Sequence, residues 1–573
     1  MSRISELGPS VFLFFHLASQ CYLSVFVFQL IHMLQLHLLM PLLLLIATQG
    51  QRASVKIGVV LPFYIGPKQP SYSGMRHLAA VQMAVDAVNS DSIILPNTLM
   101  KYTVRESRGS PGPAAVATQS LIASGGVDVI LAGGEDLFAV ESVVSDDIAL
   151  VGHMASASKL SDTSVYPNVV QMSISNDIVA NGVAAFVSSE VIDASHVSII
   201  SGSDIHSNDL AQSFLRQVPS YDMHVIASTQ ITAGSTQVLE SVSAFFSGLK
   251  VHFEKSSRKT GQQYLILLFA QAADTINVLK AAHSIGISSD VVTWILSESV
   301  LDESNTFQDA LGDDLDSIMT GSFVVHADNG RGGAAYESLW NKWRSMHTTA
   351  GTPENGADES SSSTYGVKGT GPTCNTAVDS DGNDVHMFDD DGNAATRKSC
   401  GGVNFATDVE FTKTLTFYVP FVYDSIFLIA QALHDLIEVQ NVQTFTATEL
   451  VGAMKRVSFP GVSGGVELDS LGSRSLSRPH SCIVSSFDAK TKVVDPVGTV
   501  RFEKNSSSTG ATIFRLNDGA SLVYSSVDGT KPNFYPSVKH VYSPADEVNP
   551  LVVVVACAIP LITIFIATLI VQS

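Results

Sequence analysis

Positive charge is scarce in this chain of 573 residues, which has 33 Lys+Arg against 54 Asp+Glu and a formal net charge of −21. Proteins that bind nucleic acid hold its phosphates with clustered cations, so this balance argues against nucleic acid as a main partner. Charged residues make up only 15% of the chain and hydrophobic residues 45%. Because disordered proteins combine low hydrophobicity with dense charge, the chain as a whole is predicted to fold. Its length suits about two to four domains.

Motifs of catalysis and metal binding are largely missing. The sequence has no Walker A motif, no HExxH motif and no spaced Cys/His cluster of the zinc-binding kind. Residues 379–393 are rich in Asp, but they fail the register of an EF-hand loop, so they are predicted to be a solvated acidic loop rather than a calcium site. No metal, no cofactor and no enzymatic activity are predicted.

One motif leaves an enzyme as an alternative. Residues 461–465 match the GxSxG pattern, in which Ser463 would be a nucleophile. That nucleophile needs a strand before it and a helix after it, whereas residues 466–468 have the pattern of a strand. A secreted or anchored hydrolase that uses Ser463 is therefore the alternative from a different functional class.

The N-terminal end of the chain is strongly apolar. No Asp, Glu, Lys or Arg occurs in residues 11–47, and the densest apolar part, residues 36–47, is followed by polar residues. An apolar core of that length fits a secretory signal peptide better than a membrane span, which takes about 20 residues. Residues 1–50 are predicted to be a signal peptide or a retained N-terminal hydrophobic leader.

The C-terminal end is apolar as well. From Leu551 to Val571 the chain carries no charged residue, a length that can cross a hydrocarbon core of about 30 Å. These residues are predicted to form a transmembrane helix; a GPI-attachment signal and a sequence cut short before further spans are the alternatives. Each places the intervening residues on the extracellular or lumenal side of a membrane, with the plasma membrane as the predicted location.

Cysteine is rare, at five residues, and two of the five lie in the apolar ends. The other three cannot all pair within one chain. A Cys374–Cys400 disulfide is predicted within a disordered, polar insert at residues 351–400, which leaves Cys482 free or in an intermolecular bond. One N-glycosylation sequon begins at Asn505.

Short β-branched runs alternate with helix-period segments between residues 54 and 300. The predicted strands are 55–61, 101–105, 127–131, 148–151, 197–200, 224–227, 264–269 and 291–296. The predicted helices are 78–88, 114–123, 138–145, 208–217, 235–246 and 274–284. Such alternation indicates parallel sheets covered on both faces. Because the pattern starts again near residue 197, we expect an α/β protein with two doubly wound units and a ligand site in the cleft between them.

Several segments, in the same order along the chain, resemble one known family. They are residues 77–90, 156–177, 264–287, 293–300, 419–437 and 457–474, and the most specific reads VPFVYDSIFLIAQALHDLI at 419–437. They resemble the type I periplasmic-binding-protein fold of receptor ectodomains. That fold forms the ligand-binding regions of class C G-protein-coupled receptors, natriuretic-peptide-type receptors and bacterial branched-chain amino-acid-binding proteins.

The resemblance implies a clamshell of two Rossmann-like lobes. Lobe 1 would take residues 55–173 and 326–460, and lobe 2 would take residues 174–325 and 461–504. Residues 505–550 would be a juxtamembrane linker. Members of the family capture a small-molecule ligand by lobe closure and pass the closed state to a membrane-linked effector. Many work as dimers through lobe 1, so a homo- or heterodimer is expected.

The resemblance also implies where a ligand would bind. Ser156 aligns with a Ser or Thr that binds the carboxylate of an amino acid in some members, and Ser158 is a nearby second candidate. Asp177 and Glu298 align with carboxylates that hold the ligand's ammonium group. His206 takes the place of a Tyr that stacks on the ligand.

One departure from the family pattern suggests the ligand's charge. Residues 133–136 read Gly-Gly-Glu-Asp where amino-acid-binding members have a Gly-Ser-Ser turn. Glu135 and Asp136 would repel a carboxylate and attract a cation, so an amine-bearing or cationic ligand is predicted rather than glutamate. As alternatives, Ser156 and Asp177 cap turns and helices, and the acidic pair stabilises a helix start. The ectodomain would then be a ligand-less dimerisation scaffold.

Overall fold

The chain is described here as a computed structural model. The described residues are 53–65, 69–134, 136–235, 237–254, 262–302, 308, 310–349, 367–368, 376–377, 415–442, 444–474, 481–488, 493–503, 511–517, 520, 522, 524 and 531–534. Several predictions lie outside them. These are the leader at 1–50, Glu135, the Cys374–Cys400 disulfide, the glycosylation site at Asn505 and the helix from Leu551 to Val571.

A first sheet is built from five parallel strands. They are β1 Ala53–Leu61, β2 Thr98–Glu106, β3 Val129–Ala132, β4 Ala149–Gly152 and β5 Val169–Gln171. The helices that connect them are α1 Tyr72–Ser90, α2 Pro111–Ala123 and α3 Asp136–Glu141. The spatial order β2-β1-β3-β4-β5 is that of a doubly wound sheet. The strand–helix alternation predicted for this part of the chain is confirmed.

A second sheet repeats that order. Its parallel strands are β6 His196–Gly202, β7 His224–Ile231, β8 Gln262–Phe269, β9 Val292–Leu296 and β10 Phe323–Ala327, arranged β7-β6-β8-β9-β10. The helices around it are α4 Asn176–Ser188, α5 Ile205–Gln217, α6 Leu239–Glu254, α7 Ala272–Ser284, α8 Ser299–Asp302 and α9 Leu315–Met319. β6 and β9 are buried along their whole length, because helices cover both faces of the sheet.

The chain then returns to the first sheet and leaves it again. Helices α10 Ala334–Thr349, α11 Val419–His434 and α12 Ala447–Met454 add to the core of the first sheet, and α11 packs on α1. A hairpin follows, β11 Ser458–Gly461 and β12 Gly464–Glu467. β13 Ser481–Asp488 and β14 Val493–Glu503 extend the second sheet with antiparallel strands beyond β10. Within the described residues, the chain thus passes between the sheets after β5, after β10 and after β12.

The second sheet continues past the boundary predicted for lobe 2. β15 Ala511–Leu516 pairs with β14, although residues 505–550 were predicted to be a linker. β15 joins the sheet because its side chains alternate between the inside and the outside. Phe514 packs inward with its ring 5.0 Å from that of Phe186, while Ile513 is exposed. Such alternation is typical of an edge strand, so this part of the linker prediction is wrong.

A C-terminal strap, the described residues between 520 and 534, lies against the second sheet. The Tyr524 hydroxyl donates to the Val191 carbonyl at 3.1 Å, and Lys531 Nζ donates to the Glu190 carbonyl at 2.8 Å. The strap ends in β16 Asn533–Phe534, which pairs in parallel with the first residues of β8. It therefore attaches the end of the described chain to a central strand.

No helix in the described part of the chain is long and apolar enough to cross a membrane.

Cys482, on β13, is a free thiol that is fully buried against Gly182 of α4. Burial raises its pKa to about 12. An intermolecular disulfide requires an accessible sulfur, so of the two predicted states the structure shows the free one.

Gly330, between β10 and α10, provides a test of how the β11–β12 hairpin is held. Gly330 has φ +80°, and a Cβ there would lie 2.2 Å from the Val462 carbonyl oxygen. Gly332 has φ +85°, but a Cβ there would meet nothing within 4 Å. We expect Gly332→Ala to cost about 1–2 kcal/mol for its backbone conformation alone. Gly330→Ala should cost about 1–3 kcal/mol more because of the clash. Urea unfolding of both variants measures the difference, and equal costs would contradict the contact.

Candidate functional site

Three of the predicted site residues follow the carboxyl ends of parallel strands. Ser156 comes after β4 of the first sheet, whereas His206, in the first turn of α5, and Glu298 come after β6 and β9 of the second. In doubly wound sheets these ends are where ligands bind. The structure therefore brings residues from both sheets to one place.

These residues are in direct contact. Ser156 Oγ lies 2.8 Å from His206 Nδ1, and His206 Nε2 lies 3.3 Å from Glu298 Oε1. The Tyr418 hydroxyl, just before α11, donates to the same Glu298 oxygen at 3.1 Å. Ser156 and Glu298 are each only 4% exposed. Together these four residues form a buried polar group, here called the cleft group, that joins the two sheets.

Within the cleft group, Glu298 favours the charged form of His206, and His206 favours the charged form of Glu298. Burial acts to lower the pKa of His206, but the carboxylates of Glu298, Asp204 and Asp209 outweigh it and raise the pKa above the usual 6.5. Burial likewise acts to raise the pKa of Glu298, but His206 outweighs it and the pKa falls below 4.5. An imidazolium has an N–H on each nitrogen, so it can donate to Ser156 and Glu298 together.

Several hydrogen-bond acceptors around His206 are unused. Glu298 Oε2, Asn176 Oδ1 and Asp204 Oδ2 are buried and have no hydrogen-bond partner among the described residues. Asn176 contacts His206 through its Nδ2, which donates to the His206 carbonyl at 3.3 Å. Unpaired buried acceptors are costly, and the costliest is a charged one. His206 Nε2, although it lies 3.3 Å from Glu298 Oε1, is likewise buried without a hydrogen-bond partner among the described residues.

The remaining two aligned residues form a neighbouring, more exposed group. The backbone N–H and the hydroxyl of Ser158 both donate to Asp209, at 2.8 and 2.7 Å. Asp177 accepts from Arg216 at 2.7 Å, and these two side chains are 47% and 53% exposed. Exposed pairs contribute about 0–1 kcal/mol. Asp177 also lies in the first turn of α4, capped by Ser175, so its carboxylate is not part of the cleft group.

The acidic turn after β3 is only partly described. Asp136 is buried as the first residue of α3, at the same sheet edge as Ser156 because β3 and β4 are neighbours. Both a role in attracting a cation and a role in stabilising the helix start remain predictions for it. In the described part of the chain, no three His, Cys, Asp or Glu residues form a group that could hold a metal ion.

Sequence reasoning missed three members of this region. Asp209 lies three positions after His206 on α5, a spacing that places both on one helix face, and Asn176 directly precedes Asp177. Both could have been found from these neighbours. Tyr418 could not, because it reaches Glu298 across 120 positions of the chain.

A second buried polar group lies where the chain passes between the sheets. Asp424 of α11 accepts from the backbone N–H groups of Val462 and Ser463 at 2.9 and 2.7 Å, and from the Ser463 hydroxyl. Arg474 donates to Ser463 Oγ at 2.8 Å and to the Met172 carbonyl at 3.3 Å. Because it ties the hairpin to the first and third passages, this set is called the hinge group.

Ser463 of the hinge group is the serine of the GxSxG pattern. The serine lies in the tight turn between β11 and β12 and is 2% exposed. A strand follows it, as predicted, and not the helix that a GxSxG nucleophile requires. Its hydroxyl forms hydrogen bonds with Asp424 and Arg474, and these bonds attach the turn to the rest of the hinge group.

Comparison with known proteins agrees with this architecture. The family model described as the receptor family ligand binding region matches residues 76–477, well over half of the chain. The matched residues include the cleft group and the hinge group and end just before β13. No curated protein matches the chain.

Proposed function

The chain belongs to the family of the receptor ligand-binding region, and from that premise we propose that it is a membrane-anchored receptor ectodomain for a small amine-bearing or cationic molecule. The ligand would bind between the two sheets at the cleft group. Closure of the two lobes around it would be the signal passed to a partner. The receptor-like, ligand-binding character follows from the family; the anchor, the ligand and the closure are the proposal.

The proposed ligand class rests on the surroundings of the Glu298 carboxylate. One carboxylate oxygen lies 3.3 Å from His206 Nε2 and accepts from the Tyr418 hydroxyl, while Oε2 is buried without a hydrogen-bond partner among the described residues. An ammonium group would supply the missing donors and a compensating charge. A second carboxylate in that place would be repelled.

The apolar ends of the chain support the rest of the proposal. A signal peptide within residues 1–50 and a span from Leu551 to Val571 would place the ectodomain outside the cell, where dimerisation through the first lobe would pair it with a second receptor chain. We propose no enzymatic activity for it. Labelling of Ser463 by a serine-directed fluorophosphonate probe would contradict this.

A second candidate function is a scaffold that binds no small molecule. It is favoured by the direct bond between Ser156 and His206, because a protein side chain already occupies the space between the sheets. Such an ectodomain would act by pairing with another receptor chain.

Thermal-shift measurements on the chain test the two candidates. We expect primary amines to raise the melting temperature, since a ligand at 100 times its Kd stabilises the folded state by about 2.7 kcal/mol. The N-acetyl derivative of each amine is the matched control, because it keeps the shape and loses the charge. Stronger stabilisation by glutamate would refute the amine, and the absence of any stabilising compound would favour the scaffold.

A further inference from the structure

His206 connects the two halves of the described molecule. The first half is the first sheet with its helices, and the second half is the second sheet with its helices. It is carried by α5 in the second half, and its Nδ1 lies 2.8 Å from the Ser156 hydroxyl in the first. Its other nitrogen lies 3.3 Å from Glu298 in its own half. One turn further along α5, Asp209 makes the parallel connection by accepting from Ser158. The halves are therefore joined without any bound molecule.

We propose that the proton is itself a ligand of this cleft: a proton on His206 holds the two halves together, and its loss releases them. The proposal deepens the proposed function, because it concerns the regulation of the same lobe closure. It does not require that an amine binds.

The charge of His206 decides whether the buried Glu298 carboxylate has a cation beside it. The neutral tautomer with its proton on Nε2 can donate to Glu298 while Nδ1 accepts from the Ser156 hydroxyl, so both contacts persist. In either neutral tautomer, however, a carboxylate that is only 4% exposed has no cation beside it, which is costly in a buried site. Only the imidazolium combines both contacts with the charge balance.

The groups that face His206 strengthen this dependence. Glu298 faces it from the loop after β9, Asp204 and Asp209 face it from α5 and the turn before it, and all three act as anions on its pKa. The Tyr418 hydroxyl approaches from α11 and bonds with Glu298. His326 of β10 also interacts with Glu298, but burial lowers its pKa, which disfavours its charged form.

The direction of the effect follows from linkage. With the halves in contact, the pKa of His206 is raised above its usual 6.5, so the contribution of its proton to closure is present at low pH and is lost as the pH rises through the raised pKa. The pKa of Glu298 is lowered below 4.5, so the contribution of its carboxylate is lost only in stronger acid. Between these limits, the ratio of closed to open molecules changes by up to about tenfold per pH unit, as for one bound proton.

Fluorescence energy transfer across the cleft tests the proposal in the full chain without added ligand. Two dyes are attached through unnatural amino acids at Val116 on α2 and Leu239 on α6, which are 61% and 49% exposed. From about pH 5 to about pH 9 we expect high transfer to fall once the pH exceeds the usual His pKa. A flat profile would overturn the proposal.

Three variants separate the bridge from other titrations. His206→Lys keeps its charge over this range, so transfer should stay high. His206→Gln is neutral and should show low transfer throughout; a wild-type profile in this variant would overturn the proposal. His283→Gln is the control, because His283 pairs with Asp314 at 3.6 Å on the surface, and it should behave as wild type.

Two further measurements keep the outcomes distinct. The double variant His206→Gln/Glu298→Gln avoids a lone buried carboxylate, so a folded protein is available if His206→Gln does not fold, and it too should show low, flat transfer. Thermal shifts with amines are recorded in parallel. Amine binding with flat transfer would overturn only the proton proposal, whereas a pH response without amine binding would overturn only the proposed small-molecule ligand.

Discussion

Replacement of Arg474 by Met is expected to destabilise the protein by about 3–5 kcal/mol. Asp424 is 1% exposed, and burial already raises its pKa despite the bonds from Ser463 and the charge of Arg474. The substitution removes that cation and the donors to the carbonyls of Ser463 and Gly465, both at 3.0 Å. A buried charge without its partner costs several kcal/mol.

Urea unfolding followed by tryptophan fluorescence measures this loss, since Trp343 is buried in the core of the first sheet and Trp294 in a core of the second. Arg456→Met is the matched control. Arg456 pairs with Asp435 at 2.9 Å, but the two side chains are 57% and 35% exposed, so we expect a cost of about 1 kcal/mol or less.

A double variant isolates the charge. Asp424→Asn in the Arg474→Met background removes the buried carboxylate and keeps an amide oxygen as acceptor. It should recover part of the loss, because the uncompensated charge is then gone. If Arg474→Met cost no more than Arg456→Met, the hinge group would not stabilise the passages between the sheets.

The second large effect is expected for Glu298→Gln, which keeps the shape of the side chain and removes its charge. Truncating one partner of a buried charged contact costs about 2–5 kcal/mol of binding energy, roughly a 30-fold loss of affinity or more. Any amine that stabilises the wild-type chain should lose that much affinity, as measured by calorimetric titration.

Asp177→Asn is the comparison that locates the site. Asp177 was predicted to bind the ammonium group together with Glu298, but it pairs with Arg216 at the surface. We expect a change in amine affinity of less than about fivefold, the range of an exposed pair. An equal loss in both variants would move the binding site from the cleft group to the neighbouring exposed group.

Local patterns in the sequence were sufficient for the central elements of both sheets. β1 and β8 contain short apolar runs, at residues 57–61 and 264–269, because helices cover both faces of their sheets, and such runs are visible without a structure. β15 was missed, because it alternates over only a few residues and lies beyond the segments that resemble the family.

The candidate site was only partly predictable, for geometric reasons. Ser156, His206 and Glu298 follow strands whose carboxyl ends meet, so their proximity could be expected. The direction of the Asp177 side chain could not, since it depends on Arg216 of another helix. Arg474 lies within a segment quoted for its family resemblance, yet its contact with the Met172 carbonyl spans 302 positions, and no local pattern encodes such a contact.

The C-terminal strap is connected through β8 to the surroundings of the cleft group. β8 pairs with the strap at Gln262 and Gln263 and runs about 25 Å at the usual rise of a strand. At its far end the Ala270 carbonyl accepts the hydroxyls of Ser297 and Ser299, both at 2.8 Å, on either side of Glu298. A continuous series of contacts therefore leads from the strap, along the backbone of β8, to the two residues that flank Glu298 of the cleft group.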